Sequence, residues 1–121
     1  MKVSFLQAAA LLIAGLPAAA QAASLTTDGA VSLAAKQVEK DGLYRAWMKP
    51  GCMQFMVEDT SADFVEMAIH EKHGGACPGD PATFPVVDRF RVNRKTRVIE
   101  WDDVISGEVR PYAELKKSRL K

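Results

Sequence analysis

The chain has no unpaired cysteine, no Cys-x-x-Cys pair, no second long apolar run and almost no net charge. Each absence closes off a class of protein. Cys52 and Cys77 are the only cysteines, and 24 residues separate them, which argues against a zinc ribbon or finger. The sequence contains no Gly-x-Ser-x-Gly, no His-Glu-x-x-His and no phosphate-binding loop, so no familiar catalytic motif is present. Sixteen basic side chains stand against fifteen acidic ones, so bulk attraction to nucleic acid is not indicated.

What is there begins with a leader. Lys2 gives a positive start, Phe5 to Leu16 an apolar stretch, and Ala20-Gln21-Ala22 small residues at a cleavage site. Residues 1–22 therefore read as a secretory signal peptide. A membrane span needs about 18 or more consecutive apolar residues, and Ser4, Gln7, Gly15, Pro17 and Gln21 interrupt this one. Removing the leader removes Lys2, which brings the net charge from +1 to near zero. The expectation is a periplasmic or secreted chain, residues 23–121, forming a single exported domain with no stable membrane insertion. In an oxidising compartment the even cysteine count is most simply a Cys52–Cys77 disulfide, which would disfavour the unfolded chain by about 3 to 4 kcal/mol.

The pattern along the mature chain predicts one helix followed by strands. Thr27 or Asp28 can cap a helix whose apolar positions Val31, Ala34, Ala35 and Val38 follow helical spacing, and Asp41-Gly42 is a fitting stop. Leu43 to Met48 either extends that helix briefly or forms a short edge strand before the Lys49-Pro50-Gly51 turn. Cys52 to Glu58 and Phe64 to Lys72 alternate with period two, as half-buried strands do, and the polar segment between them reads as a hairpin loop. Val86 to Val92 and Val98 to Val104 complete the set, with Phe90, Val92, Ile99 and Trp101 as core contacts. The expected fold is α+β, one N-terminal helix packed on a four-stranded antiparallel meander with one disulfide, ending in a basic tail from Glu108 that is either frayed or a final short helix.

His73 to Pro85 carries three glycines and three prolines in thirteen residues. Anchored through Cys77, it reads either as an ordered recognition loop or as a pinned crossover between hairpins. The Val-Asn-Arg-Lys-Thr-Arg-Val-Ile turn that follows resembles the strand-turn-strand of PepSY-type domains, which are small envelope modules. The stretch from His73 to Thr83, followed by Asp88 to Asn93, is similar to a loop in small periplasmic proteins. That likeness covers about half of the mature chain and implies a binding or inhibitory role toward another envelope protein. The pattern departs at Arg97, where such hairpins carry glycine and where positive φ would be costly for a side chain.

Three clusters could carry chemistry. His70 and His73, with Met48, Met53, Met56 and Met67, offer imidazoles and thioethers suited to copper or zinc, although on a strand the two histidines would project to opposite faces. Arg89, Arg91, Arg94, Lys95 and Arg97 form a basic run in which Arg89 and Arg91 share a strand face. They can bind a carboxylate or phosphate, or be neutralised across the hairpin by Glu100, Asp102 and Asp103. Those three acids could also suggest catalytic carboxylates, but no other feature supports catalysis, and the chain is read as a non-enzyme without a cofactor. The functional expectation is a binding protein that modulates an envelope protein such as a hydrolase, with His73, Asp80, Arg89 and Arg91 on its binding surface. A small metal-binding protein is the alternative.

Overall fold

The computed structural model describes residues 23–120. The expected signal peptide, residues 1–22, lies outside them. The chain runs α1 (Thr27–Asp41), a 3-10 turn (Pro50–Cys52), β1 (Met53–Thr60), β2 (Phe64–Glu71), β3 (Val86–Asn93), β4 (Ile99–Asp103), β5 (Glu108–Pro111) and α2 (Tyr112–Arg119). The strands form one antiparallel sheet in the order β1-β2-β3-β4-β5. The α+β class, the N-terminal helix and the disulfide stand as expected. The strand count does not, because Glu108–Pro111 adds a fifth strand, and of the two readings of the tail the short helix holds, as Tyr112–Arg119, and the frayed one does not.

Helix α1 forms where its ends can be satisfied. The Thr26 hydroxyl, one residue before the anticipated cap, accepts a hydrogen bond from the Gly29 amide at 2.9 Å. At the other end Gly42 takes a left-handed conformation, φ 60°, and Leu43 N–H returns to the Val38 carbonyl. Ala30, Ala34 and Val38 recur every fourth residue and are buried against Val65, Met67, Ile69, Phe90 and Val92. The segment after the helix is neither helix nor strand. It is a series of turns that sinks Leu43, Tyr44 and Met48 into the same core.

Both helices cover one face of the sheet. Fully buried Leu115 carries α2 into the core, while most of the rest of that short helix is polar. Two polar clamps supply what its apolar stripe lacks. The Asp41 carboxylate accepts hydrogen bonds from Gln37 and from the Tyr112 hydroxyl, both at 2.8 Å, and meets Lys116 Nζ at 3.2 Å. The Gln37 hydrogen bond, with those of Tyr112 and Lys116, holds the Asp41 pKa below the ordinary carboxylate value against the opposing effect of burial. Asp88, the one buried charged residue among the described residues, receives the Tyr44 hydroxyl at 2.6 Å and both Nε and Nη2 of Arg119 at 3.0 and 2.7 Å. Burial, then the Asp88 charge, pushes the Tyr44 pKa far up, so its hydroxyl stays a proton donor.

Two β-bulges shape the sheet. One falls between Val57 and Asp59 in β1 and the other opposite the step from Ile69 to His70. At the β3–β4 turn Arg97 adopts φ 65°, the strained conformation its sequence position suggested. The Asn93 side chain steadies this turn by accepting from the amides of Lys95 and Thr96. No helix among the described residues is long and apolar enough to cross a membrane.

Candidate functional site

The face of the sheet turned away from the helices is built by the alternate residues of each strand. Register places Asp59, Glu66, Arg91 and Glu100 in one row across β1 to β4, and Met56, Ala68, Arg89, Asp102 and Val109 in the next. The expected arginine stripe is here, but it is already partnered. Arg89 Nε donates to Glu58 at 2.8 Å, a carboxylate brought within reach by the β1 bulge, and that hydrogen bond raises the guanidinium pKa further. Arg91 donates through Nε and Nη2 to Glu100 at 3.3 and 3.1 Å while its guanidinium lies 4.0 Å above the Phe64 ring. Both arginines are half-buried; the hairpin pairing weighed from the sequence describes Arg91 with Glu100, whereas Arg89 takes its partner, Glu58, from β1, outside that hairpin.

Arg94 of the same run is structural. It donates to the carbonyls of Ser61 and Leu25 and to the Thr27 hydroxyl, joining two turns to the start of α1. Lys95 stands 3.7 Å from Asp63. On the open face the balance is therefore acidic: Glu58, Asp59, Glu66, Glu100 and Asp102 surround Arg89 and Arg91. Asp59 and Glu66 face each other directly, an arrangement that costs stability in a sheet. A shallow hollow of about 200 Å³ lies among Glu58, Glu66, Arg89, Arg91, Asp102 and Val109.

No family model matches this chain, and no curated protein or solved structure matches it either.

At one end of the same face lies the loop from His73 to Pro85. The disulfide joins Cys52, at the entry to β1, to Cys77, with Cα atoms 5.6 Å apart. Gly74 and Cys77 exchange backbone hydrogen bonds at 2.8 and 3.0 Å, which closes a tight turn at the anchor. The interior of the loop is His73, whose side chain is only 13% exposed. Its Nδ1 lies 2.6 Å from the Thr83 hydroxyl and 3.2 Å from the Asp80 carbonyl, and that hydroxyl donates to the same carbonyl at 2.7 Å. With the hydroxyl thus engaged, the arrangement is satisfied when Nδ1 carries the proton and donates. The Asp80 carboxylate accepts from the Ala82 amide at 2.9 Å. His73 and Asp80 thus meet within the loop, as parts of its own framework.

Gly79 shows how tightly that framework is built. Its φ is 114°, and a Cβ there would lie 2.5 Å from the His73 ring. Gly79→Ala is expected to lower stability by about 1 to 3 kcal/mol in thermal or urea unfolding. Gly75→Ala should cost less, because at φ 61° its Cβ would meet nothing within 4 Å. Equal losses for the two would contradict the packing of His73 on Gly79.

His70 is occupied differently. Its ring stacks on Phe84 at 4.3 Å between centroids, and Nδ1 lies 2.9 Å from the Phe84 carbonyl. Both histidines therefore spend a ring nitrogen on the loop. Among the described residues no three His, Cys, Asp or Glu side chains converge as a metal site would require. Met67 is in the core, and Met53 packs against it, as methionine on a strand commonly does.

Beside the disulfide a groove of about 440 Å³ opens between the α1–β1 linker and the loop, lined by Arg45, Trp47, Lys49, Pro50, Glu71 and Pro78. Trp47 is 49% exposed there. Nothing in the spacing around Trp47 distinguished it from a core aromatic. The direct opposition of Asp59 and Glu66 was equally invisible, because it depends on the bulge that shifts β1 by one residue.

Proposed function

We propose that this is an exported, non-enzymatic binding protein that recognises another envelope protein through its open sheet face and the adjoining disulfide-pinned loop, and so modulates that partner. Periplasm or secreted space is the compartment, consistent with the leader and with the disulfide that anchors the loop. One observation carries the reading. The helix-free face keeps Asp59 directly opposite Glu66 and holds five carboxylates against two guanidinium groups. A sheet under selection for stability alone has no reason to keep like charges face to face, whereas a cationic partner surface would relieve them. Arg89 and Arg91 then act as fixed spacers that hold Glu58 and Glu100 in place. His73 and Asp80 keep the loop rigid beside them.

Immobilised protein incubated with envelope extract should retain a dominant basic partner that elutes as salt is raised, because rim charges are screened over about 10 Å at 0.1 M ionic strength. The Glu66→Lys/Glu100→Lys variant should lose that partner while keeping its fold. Retention unchanged by charge reversal would refute this surface. Capture of an acidic partner lost in Arg89→Glu would point back to the arginines as the recognising groups.

A further inference from the structure

The two edges of the sheet differ in how they are protected. Strand β5 has four residues, ends in Pro111, which has no amide hydrogen to offer, and carries Arg110 tied to Asp103, Glu108 and Glu114. Strand β1 has eight residues, and from Met53 to Val57 it reads Met-Gln-Phe-Met-Val, with no charge, no proline and no bulge. Met56 is 39% and Val57 42% exposed. Lys72 N–H donates to the Cys52 carbonyl, and Gln54 and Met56 follow at the period of two, so the even-numbered residues turn their backbone groups toward β2. The N–H and C=O groups of Phe55 and Val57 and the C=O of Met53 therefore point outward, while the Met53 N–H donates to the Pro50 carbonyl at the end of the 3-10 turn. Among the described residues no backbone hydrogen bond from outside the sheet reaches Phe55 or Val57.

We infer that β1 pairs with β1 of a second copy of this chain, antiparallel about a two-fold axis at Phe55, giving one sheet continuous through both molecules. Only residues with outward groups can form the hydrogen-bonded pairs, so Phe55 meets its own counterpart and Met53 meets Val57 of the second copy. The axis stands perpendicular to the sheet, which keeps both helix layers on one side. There the two half-buried Phe55 rings close over each other. Val57, exposed in the single chain, comes to lie beside the second copy's Met53.

The charges at the ends of β1 suit this register. Glu58 and Asp59 follow Val57, whereas Arg45 and Lys49 lie before Met53 beside the Pro50–Cys52 turn. Antiparallel pairing carries the acidic end of each copy past the basic end of the other, twice by symmetry. A parallel pairing would instead bring acid to acid. The contact is thus self-complementary in hydrogen bonding, apolar surface and charge, as a two-fold interface requires. It lies at the sheet edge and goes beyond the function proposed for the open face.

The test is sedimentation equilibrium of the protein expressed from its full sequence. A dimer is expected at about 100 µM chain, a concentration at which even a weak edge interface is populated. Val57→Pro deletes an outward amide without touching the ladder to β2 and should leave a monomer. Lys49→Glu and Asp59→Lys should each weaken association by about tenfold or more, and the combined swap should restore it. Hydrogen exchange gives a readout that needs no variant. The amides of Phe55 and Val57 should slow as concentration rises, while those of Gln54 and Met56, already bonded to β2, and of Met53, already bonded to Pro50, should not change. A chain that stays monomeric, a dimer that survives Val57→Pro, or a charge swap that restores nothing overturns the proposal.

Discussion

Replacing both Cys52 and Cys77 with alanine is expected to lower the stability of the folded chain by about 3 to 4 kcal/mol. The bridge spans a sequence separation of 25, so in its absence the unfolded chain recovers the freedom of a loop of that length. Cys52 is also buried, only 4% exposed, and its truncation removes a packing contact against the core, so the upper part of that range is the better expectation. The folded state should change little. Glu71 N–H still reaches the Pro85 carbonyl, and His73 still holds Asp80 and Thr83, so the loop keeps its other attachments. Urea unfolding of the oxidised protein, the reduced protein and the alanine pair checks this. The reduced protein and the alanine pair should unfold at similar, lower denaturant. A loss below about 1 kcal/mol would mean that the unfolded chain is already compact around this loop.

Arg119→Met is the second large effect, expected to cost about 3 kcal/mol. The variant leaves the Asp88 carboxylate, whose side chain is 5% exposed, with the Tyr44 hydroxyl as its remaining donor. Breaking a buried pair by removing one partner typically costs about 3 to 5 kcal/mol. The lower end applies because Arg119 is the last residue of α2 and 27% exposed, so that final turn can unwind and let water reach Asp88. Hydrogen exchange should therefore quicken first in α2, ahead of the sheet. The variant Asp88→Leu/Arg119→Met, with Tyr44→Phe to remove the stranded hydroxyl, should recover most of the loss, because an apolar triad leaves no buried charge. A cost below about 1 kcal/mol for Arg119→Met alone would show that the clamp is solvated and that Leu115 by itself seats α2.

These two restraints explain which parts of the molecule were legible in the chain. Helix α1 announced itself through fourth-residue spacing and a Gly42 stop, and the paired strands through period-two alternation, because each signal is local and repeats several times. Strand β5 was missed because four residues, Glu-Val-Arg-Pro, are too few to establish any period. For helix α2 the sequence leaves a frayed tail and a short helix both open, because Leu115 is its only fully buried side chain and its other seven residues include Glu114, Lys116, Lys117 and Arg119. Its stability is borrowed from Asp41 and Asp88, which lie 71 and 31 residues before their partners Tyr112 and Arg119.

The candidate site divides in the same way. Composition alone marked the basic run near residue 90 and the glycine- and proline-rich loop around Cys77. The loop's internal order was not readable, since the contact between Gly79 and the His73 ring depends on backbone angles. Nor was the acidic character of the open face, because a bulge at Glu58 decides which carboxylate meets Arg89 and which is left opposite Glu66. The sequence by itself determined the first helix, the first four strands and the cysteine pairing, since these follow from repeated local pattern or from simple count. Only the tertiary structure decided the fifth strand, the second helix, the pairing of the arginines and the free edge of β1. These depend on interactions between distant segments, and such interactions leave no period in the chain to read.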